Sequence, residues 1–347
     1  MLKRLLGSLA LLAVILACAL GVVVVGYNEL QKPINLPQAK TSLVWQVDKG
    51  SSLTQVNRQL HQREILSHPK LLSLYGRISG KTAIQAGHYQ IEPGETALQL
   101  LDKFNRGSVI SYRITFPEGW NYQQWIAQLA TVEQFAEISQ LSQIQIMSAA
   151  NINKVHPEGW LFPDTYSYTH EDTGVDIIAR AHRKMLQVLD QAWQGRAQGL
   201  PYANAYEALI MASIVEKETG QVSERPTIAG VFVRRLNKSM RLQTDPTVIY
   251  GLGDSYRGNI TRRHLRTLTP YNTYRINGLP PTPIAMPSAA AIEAALHPKA
   301  GTSLYFVARG DGAHYFSDTL EEHQKAVRQY QINQRAVDYR SAPKPEN

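Results

Sequence analysis

Two glutamates near the end of an apolar stretch, Glu216 and Glu218, are the first candidates for chemistry. Asn204 begins a capping-box-like pattern that predicts a helix from there to Thr219, with Gly220 as its terminator. Residues two apart on a helix point about 200° apart, so the two glutamates cannot act as a facing pair. Each is therefore judged on its own surroundings.

Glu218 has the more apolar surroundings on the predicted helix. It lies over Ile214 and Val215, whereas Glu216 lies over a face that contains Ser213. A carboxyl on an apolar wall is desolvated, which raises its pKa toward the value that a general acid needs at neutral pH. The alternative is that both glutamates are solvated charges at a helix end. The pattern favours Glu218 as the candidate catalytic acid and leaves the alternative open.

A further carboxyl, Asp245, lies in the run Gln243-Thr244-Asp245-Pro246. Aspartate before proline is typical of a helix cap or a turn. Asp245 could equally be the second carboxyl of a two-carboxylate glycosidase, with Glu218 as the first. The sequence alone does not separate these interpretations.

One tetrapeptide, Pro-Glu-Gly-Trp, occurs twice, at residues 117–120 and 157–160. One interpretation is a pair of glycine turns with packed tryptophans. The other is that the second copy forms a wall of a substrate groove, where Glu158 and Trp160 would offer a carboxylate for hydroxyls and an aromatic face for sugar rings.

Composition excludes several classes of function. The chain has 347 residues, a formal net charge of +8, and 44% hydrophobic residues, so it can bury a substantial core. Its one cysteine rules out an internal disulfide and a cysteine zinc cluster. The histidines show no paired ligand spacing, so no metal and no cofactor are expected. Arginines cluster between residues 257 and 266, but no nucleic-acid motif accompanies them, so no nucleic-acid partner is expected.

The N-terminus predicts a membrane anchor. The run from Leu5 to Tyr27 contains no charged residue, and it is long enough to span a bilayer core of ~30 Å. Lys3 and Arg4 precede this run and place the N-terminus in the cytoplasm by the positive-inside rule. A cleaved signal peptide and a lipoprotein signal at Cys18 are the alternatives. The apolar run is too long for the first and stays apolar past Cys18, against the second.

Periodicity and capping signals predict alternating strands and helices after the anchor, and then mostly helices. The predicted elements are strands at 42–47, 88–91 and 109–116, helices at 53 onward, 69–78 and 97–104, helical runs between 121 and 196, helices at 228–236 and 288–296, a hairpin at 304–308 and 314–317, and a terminal helix from 319 to about 335. The stretch from 241 to 287 is predicted to be loop-rich, and a loop of that length is more often functional than idle.

Long, ordered runs of the chain resemble one family closely. The chain resembles the MltG/YceG-like endolytic murein transglycosylases over nearly its whole length, including the anchor. The runs that carry the resemblance are Ala212-Ser213-Ile214-Val215-Glu216-Lys217-Glu218-Thr219, Arg241 through Gly251, Tyr271-Asn272-Thr273-Tyr274, Gly278 through Ile284, and Glu158 through Thr165.

The resemblance implies an α+β protein of the bacterial inner membrane with most of the chain in the periplasm. The implied domains are a cytoplasmic tip (1–4), a transmembrane helix (5–27), a linker (28–40), a small LysM-like α/β subdomain (41–112), a helical connector (113–198) and an α+β catalytic domain (199–347). The implied partners are peptidoglycan glycan strands, the inner membrane and the penicillin-binding peptidoglycan synthases.

The implied reaction is non-hydrolytic cleavage of the β-1,4 bond between N-acetylmuramic acid and N-acetylglucosamine within nascent strands, which leaves a 1,6-anhydro end and sets strand length. The family's catalytic glutamate corresponds to Glu218, acting as acid and then as base. The expected sugar contacts are Gln243, Thr244, Asp245, Tyr250, Tyr271 and Asn272, with Glu158 and Trp160 as weaker candidates. A muramidase-type hydrolase using Glu218 and Asp245, and a non-catalytic peptidoglycan-binding scaffold, are the competing hypotheses.

Overall fold

A computed structural model describes residues 2–36, 42–153 and 156–333 of the chain. Part of the predicted cytoplasmic tip, residues 37–40 of the predicted linker and the end of the predicted terminal helix lie outside the described residues. Contacts between residues divide the chain into two compact units. The smaller unit contains Met1–Arg113 and Ser167–Asp172, and the larger contains Ile114–Tyr166 and Thr173–Asn347. Both mix helices with strands, and the predicted boundaries between functional domains stay predictions.

The smaller unit is built on a two-stranded antiparallel sheet with helices against it. Leu43 pairs with Ile91 and Val47 pairs with Gly87. Trp45 and Tyr89 from the two strands are buried in its core. Its elements are α1 (Leu2–Leu30), β1 (Leu43–Val47), α2 (Leu53–Gln62), α3 (Pro69–Ile78), β2 (Gly87–Ile91) and α4 (Ala97–Arg106).

Local capping explains where these helices begin and end. The Ser52 hydroxyl accepts from the Gln55 backbone N–H at the start of α2. Thr96 and Gln99 form a reciprocal capping box at the start of α4, and Gly107, with φ of 69°, ends that helix in the left-handed conformation. Proline at the first position starts α3, whose predicted range is confirmed.

Helix α1 is apolar on its surface and joins the smaller unit without a break. Its segment Leu9–Leu30 has 22 residues, and the most apolar 18 of them have a mean hydropathy of 3.0. It is the one helix of the described residues long and apolar enough to cross a membrane. Leu30, its last residue, is 1% exposed and belongs to the core of the smaller unit together with Ile34. The helix and the sheet therefore share one packed interior.

A second two-stranded sheet joins β3 (Tyr112–Thr115) and β4 (Thr165–Tyr168). The first strand lies within the predicted strand at 109–116. The stretch between 121 and 196 is mostly helical, as predicted, and β4 is a strand that the pattern did not indicate. Its sequence, Thr-Tyr-Ser-Tyr, alternates exposed and buried side chains, with Tyr166 and Tyr168 buried, as a half-buried strand requires.

In the larger unit, helix α8 lies at the centre. Helix α8 is Ala205–Glu218, and every residue from Ala208 to Val215 is buried. It packs against α7 (Gly174–Gln194), α9 (Arg225–Asn237), α10 (Asp245–Leu252) and α12 (Ala289–Leu296). The helices are α5 (Tyr122–Ala130), α6 (Gln143–Ala149), α7 (Gly174–Gln194), α8 (Ala205–Glu218), α9 (Arg225–Asn237), α10 (Asp245–Leu252), α11 (Arg262–Arg266), α12 (Ala289–Leu296) and α13 (Leu320–Val327), with 3₁₀ turns at Glu133–Gln140, Val222–Glu224 and Gly253–Ser255, a π-helical turn at Arg328–Asn333, and the hairpin β5 (Tyr305–Ala308) and β6 (His314–Ser317).

Two details of this unit differ from the sequence prediction. The chain leaves α8 at Thr219, which is extended with φ of −145°, so Gly220 does not supply a left-handed cap. The stretch predicted as loop-rich contains α10, which has Pro246 at its second position. Of the two structural interpretations of Asp245 before Pro246, a helix start or a turn, the structure has the helix start, where proline is favoured in the first turn.

Both copies of Pro-Glu-Gly-Trp are glycine turns, with φ of 73° at Gly119 and 82° at Gly159. A Cβ on Gly159 would lie 2.4 Å from Cγ of Pro283, whereas the nearest atom to a Cβ on Gly119 is at 3.6 Å.

We expect Gly119→Ala to cost about 1 kcal/mol of folding stability through backbone strain alone. Gly159→Ala should cost roughly 2–4 kcal/mol because the clash adds to the strain. Chemical denaturation of the two variants measures the difference, and equal losses would contradict the packing argument.

Candidate active site

A cleft of about 1120 Å³ in the larger unit contains Glu218 together with three other predicted site residues, Gln243, Thr244 and Asp245. Its walls come from the end of α8, the start of α10 and the β5–β6 hairpin. Further lining residues include Arg235, Tyr256, Asn259, Tyr274, Tyr305, His314 and His323. Among the described residues no group of three or more His, Cys, Asp or Glu side chains could hold a metal ion.

Glu218, the last residue of α8, is partly buried and accepts a hydrogen bond from the Thr244 hydroxyl. Burial raises the pKa of Glu218 to about 7, and the negative charge of Asp245 acts in the same direction. The Thr244 hydroxyl and the Arg235 guanidinium oppose this rise in pKa, because both favour the carboxylate. Glu218 is therefore a carboxyl that can hold or release a proton near neutral pH.

Glu216 is also buried, so the apolarity of the helix face does not distinguish the two glutamates as the sequence suggested. Its carboxylate pairs with Arg225 at 2.8 Å, and both side chains are 5% exposed. The Ser288 backbone N–H donates to its other oxygen at 3.0 Å. Glu216 is fully engaged by a fixed cation and a helix N-terminus, whereas Glu218 has one hydroxyl partner and faces the cleft.

The loop before α10 positions Thr244. Gln243 has φ of 52°, a left-handed conformation that is uncommon for a residue with a Cβ. The N–H groups of Gln243 and Thr244 donate to the carbonyl and the hydroxyl of Thr273, at 3.2 Å and 3.0 Å. This brings the Thr244 hydroxyl to Glu218 and leaves the Gln243 side chain exposed in the cleft.

Asp245 is exposed, and its Oδ1 accepts from the Tyr274 hydroxyl at 2.7 Å. Tyr274 was not among the predicted contacts, although it lies in one of the runs that carry the family resemblance. Burial raises the pKa of the Tyr274 hydroxyl, and the negative charge of Asp245 adds to this rise. Tyr274 therefore stays neutral and donates its proton to the hydrogen bond with Asp245. No local pattern indicated this pair, because Asp245 and Tyr274 are 29 residues apart in the chain.

Arg235 on α9 is a second residue that the sequence did not single out. Its Nε donates to the Leu304 carbonyl at 2.7 Å and its Nη1 to the Leu242 carbonyl at 2.8 Å. The guanidinium lies 5.0 Å from the ring centroid of Tyr305. Arg235 therefore fixes the hairpin and the loop before α10 together, while its charge acts on Glu218.

Glu158, Tyr250 and Tyr271 form a separate cluster. Glu158 is 2% exposed, and accepts from the Tyr122 backbone N–H at 3.1 Å and from the Tyr250 hydroxyl at 3.0 Å. Burial raises the pKa of Glu158 to about 7, against the effect of these hydrogen bonds. The Tyr250 and Tyr271 rings are 4.9 Å apart, and the Tyr271 hydroxyl lies 2.8 Å from that of Thr282.

Two other predicted contacts are buried in the protein interior. Trp160 is 6% exposed and stacks on Tyr206, with ring centroids 5.3 Å apart. Asn272 is 1% exposed, and its Nδ2 donates to the carbonyls of His264, Leu265 and Thr267. Both have little surface to offer a sugar, so their burial favours structural roles and argues against direct contact.

Comparison with known proteins identifies similar chains in several bacteria. The model of the YceG-like family matches residues 45–329. A Bacillus subtilis protein named endolytic murein transglycosylase is 30% identical over 87% of this chain and 88% of its own length. A Streptococcus pneumoniae protein of the same name is 27% identical over 82% of this chain, which spans 57% of that longer protein.

A solved structure of a YceG-like protein is also similar to this chain. The crystal structure of a YceG-like protein from Listeria monocytogenes is 30% identical in sequence and superposes with a TM-score of 0.51. The match covers 82% of this chain and 99% of that chain.

Proposed function

Because this chain belongs to the YceG-like family, we propose that it is a lytic transglycosylase that cleaves murein within its glycan strands. The enzyme class follows from the relatives named endolytic murein transglycosylase. The observation that carries the mechanism is the Glu218 carboxyl, whose pKa is raised to about 7, in a cleft of about 1120 Å³. That volume accommodates several sugar residues, as an enzyme acting inside a strand requires.

In the proposed reaction one carboxyl acts twice. Protonated Glu218 gives its proton to the glycosidic oxygen as the bond from that oxygen to the muramic anomeric carbon breaks. The 6-hydroxyl of the same muramic residue attacks that carbon and passes its proton to the Glu218 carboxylate. The products are a free 4-hydroxyl and a 1,6-anhydro end, and no water is consumed. Because the nucleophile belongs to the substrate, its effective concentration is already high.

The residues around Glu218 have complementary proposed roles. Thr244 orients the carboxyl, and Asp245, held by Tyr274, offsets positive charge on the sugar ring in the transition state. Gln243 contacts an N-acetyl or hydroxyl group in the cleft. Tyr250 and Tyr271 are proposed to bind sugar farther from Glu218, with Glu158 fixing the Tyr250 hydroxyl.

The pH dependence of the reaction tests the protonated state of Glu218. A raised pKa means that the acid form is present below about 7 and is lost as pH rises through that value. We expect kcat/KM on isolated murein to fall above pH 7, approaching tenfold per pH unit. Thr244→Val removes a hydrogen bond that favours the carboxylate, so the falling limb should move up by about one pH unit.

Thr244→Ser is the matched control because it keeps the hydroxyl. The falling limb of its kcat/KM against pH should stay within a few tenths of a pH unit of the wild-type position. Thr244 caps α10 without a side-chain hydrogen bond to the backbone, so valine removes no cap. A Thr244→Val limb that moves to lower pH, or does not move, would contradict the assigned contact.

Asp245 keeps the muramidase-type hydrolase as a second candidate, because it lines the same cleft as Glu218. In that mechanism Asp245 would assist water, and the product would carry a reducing muramic end. Mass spectrometry of digested glycan separates the two, since the transglycosylase product is lighter by one water. A digest with only hydrated ends would support the hydrolase and exclude the anhydro mechanism.

We further propose that α1 anchors the chain in the inner membrane, with its N-terminus in the cytoplasm and both units in the periplasm. The 22-residue apolar segment and the insertion of Leu30 into the smaller unit's core support an uncleaved anchor. In this arrangement residues 41–112, which lie within the smaller unit, are the LysM-like subdomain and bind murein. The enzyme sets strand length beside the penicillin-binding synthases.

A further inference from the structure

Helix α3 presents large apolar side chains to solvent. Leu74 is 53% exposed and Ile78 is 78% exposed, and their spacing of four residues places them on one face. Lys70 and Arg77 are also exposed and lie beside them on the same side of the helix. The buried face, with Leu72 and two small residues, points into the smaller unit. Helix α3 therefore has an outer face that is both apolar and cationic.

A pocket of about 720 Å³, here the basic pocket, lies between this helix and α2. Its lining contains no Asp or Glu. Arg58, Lys70 and Arg77 have no ion pair with any described acidic residue, while His68 lies 3.6 Å from Glu29. The lining residues are Thr54, Arg58, His61, Ser67, His68, Pro69, Lys70, Leu71, Ser73, Leu74 and Arg77.

Helix α3 lies against the C-terminal end of α1. A Cβ on Gly26 would lie 3.3 Å from Cδ1 of Leu71, and the rings of Tyr27 and Tyr75 are 6.1 Å apart. Gly26 and Tyr27 are the last residues of the uncharged run. Helix α3 therefore packs on α1 where the apolar surface ends, at the depth of the headgroups if α1 spans a bilayer.

We propose that α3 docks on an anionic phospholipid surface. Leu74 and Ile78 enter the boundary between headgroups and acyl chains, and the basic pocket holds a lipid phosphate through Arg58, Lys70 and Arg77. This proposal rests on the membrane anchoring proposed above. Each basic side chain near an anionic surface favours the docked state by roughly fivefold, so reversal of two charges should be easily measured.

The depth of Ile78 in a bilayer is the direct test. Full-length protein carrying Cys18→Ser and Ile78→Cys is labelled with an environment-sensitive fluorophore and placed in nanodiscs that contain phosphatidylglycerol and a lipid-borne quencher. Ile144→Cys is the matched control, because Ile144 is also an isoleucine that is 78% exposed, on the larger unit. We expect strong quenching and a blue shift at residue 78 but not at 144. Equal quenching at the two positions would overturn the proposal.

Charge reversal tests the basic pocket. Lys70→Glu combined with Arg77→Glu should reduce quenching at residue 78 several-fold in phosphatidylglycerol nanodiscs, down to the level seen in pure phosphatidylcholine. Arg262→Glu with Arg266→Glu, which reverses two exposed charges of the larger unit, should leave it unchanged. If quenching is independent of lipid charge and of residues 70 and 77, the phosphate site is wrong.

The outcomes also separate docking from anchoring. If the full chain does not incorporate into nanodiscs, the anchor fails and this proposal fails with it. If the chain incorporates and residue 78 stays unquenched, anchoring survives and docking is overturned. Shielding of residue 78 by soluble murein fragments in place of lipid would assign the face to glycan and likewise overturn it.

Discussion

Replacing Glu218 by glutamine is expected to reduce the release of anhydro-ended glycan by about 10²–10⁴-fold, because the amide can neither protonate the leaving oxygen nor accept the 6-hydroxyl proton. The shape of the site should survive, since glutamine still accepts from the Thr244 hydroxyl. Product analysis on isolated murein with the wild type beside Glu218→Gln measures the effect. Cleavage by the variant at the wild-type rate would remove Glu218 from the mechanism.

A stability measurement on the same variant distinguishes loss of chemistry from loss of folding. The folded pKa of Glu218, about 7, lies above its ordinary value of 4.5, so the native state binds more protons between those values. Its contribution to stability is complete below pH 4.5 and is lost as pH rises through 7. We expect Glu218→Gln to match the wild type near pH 4 and to exceed it by about 1–3 kcal/mol at pH 8. A less stable variant at pH 8 would contradict the burial argument.

Glu216→Gln should have the opposite profile, with a large loss of stability and intact chemistry in the molecules that fold. The substitution leaves the Arg225 guanidinium, 5% exposed, facing an uncharged amide, with only the exposed Glu118 carboxylate at 3.6 Å as an acidic partner. Breaking one partner of such a buried pair costs about 3–5 kcal/mol. Thermal unfolding should shift down by roughly 10 °C for a unit of this size. Activity below the transition should stay within a few-fold of the wild type.

A double-mutant cycle tests the assignment of this pair. Arg225→Met and Glu216→Leu each leave one charge buried, whereas the double variant leaves neither. The double variant should therefore recover most of the stability lost by either single change. Losses that simply add would show that Glu216 and Arg225 do not act as a pair.

Local features of the fold followed from short stretches of sequence. Asn204 was predicted to begin α8 from the residues that follow it, and its side chain accepts from the Glu207 backbone N–H. Ser52 and Thr96 cap α2 and α4 in the same local way. The β5–β6 hairpin was predicted from two β-rich segments around a glycine-containing loop, and Val307 pairs with Tyr315. These features depend on residues within a few positions of each other, which a pattern can show.

The site depended on long-range contacts that no local pattern contains. Glu218 was selected for an apolar helix face, but α8 is buried on nearly every side, and what separates Glu218 from Glu216 is Arg225. Arg225 and Ser288 are supplied by other helices. Family resemblance led to Glu218, Gln243, Thr244 and Asp245, which do share one cleft. It did not indicate that Trp160 and Asn272 would be buried.

If α1 spans a bilayer as proposed, the burial of Leu30 determines how far the smaller unit lies from that bilayer. Since α1 enters the core as a continuous helix, the distance from Tyr27 to that core is three residues, or about 4.5 Å of helix rise. In that proposed arrangement α1 joins the smaller unit as one continuous helix, with no flexible linker between Tyr27 and Leu30. Each residue added between Tyr27 and Leu30 would lift it by about 1.5 Å and rotate it by about 100°. The length of α1 beyond Tyr27 therefore sets both the distance and the orientation, relative to that bilayer, of everything the smaller unit binds.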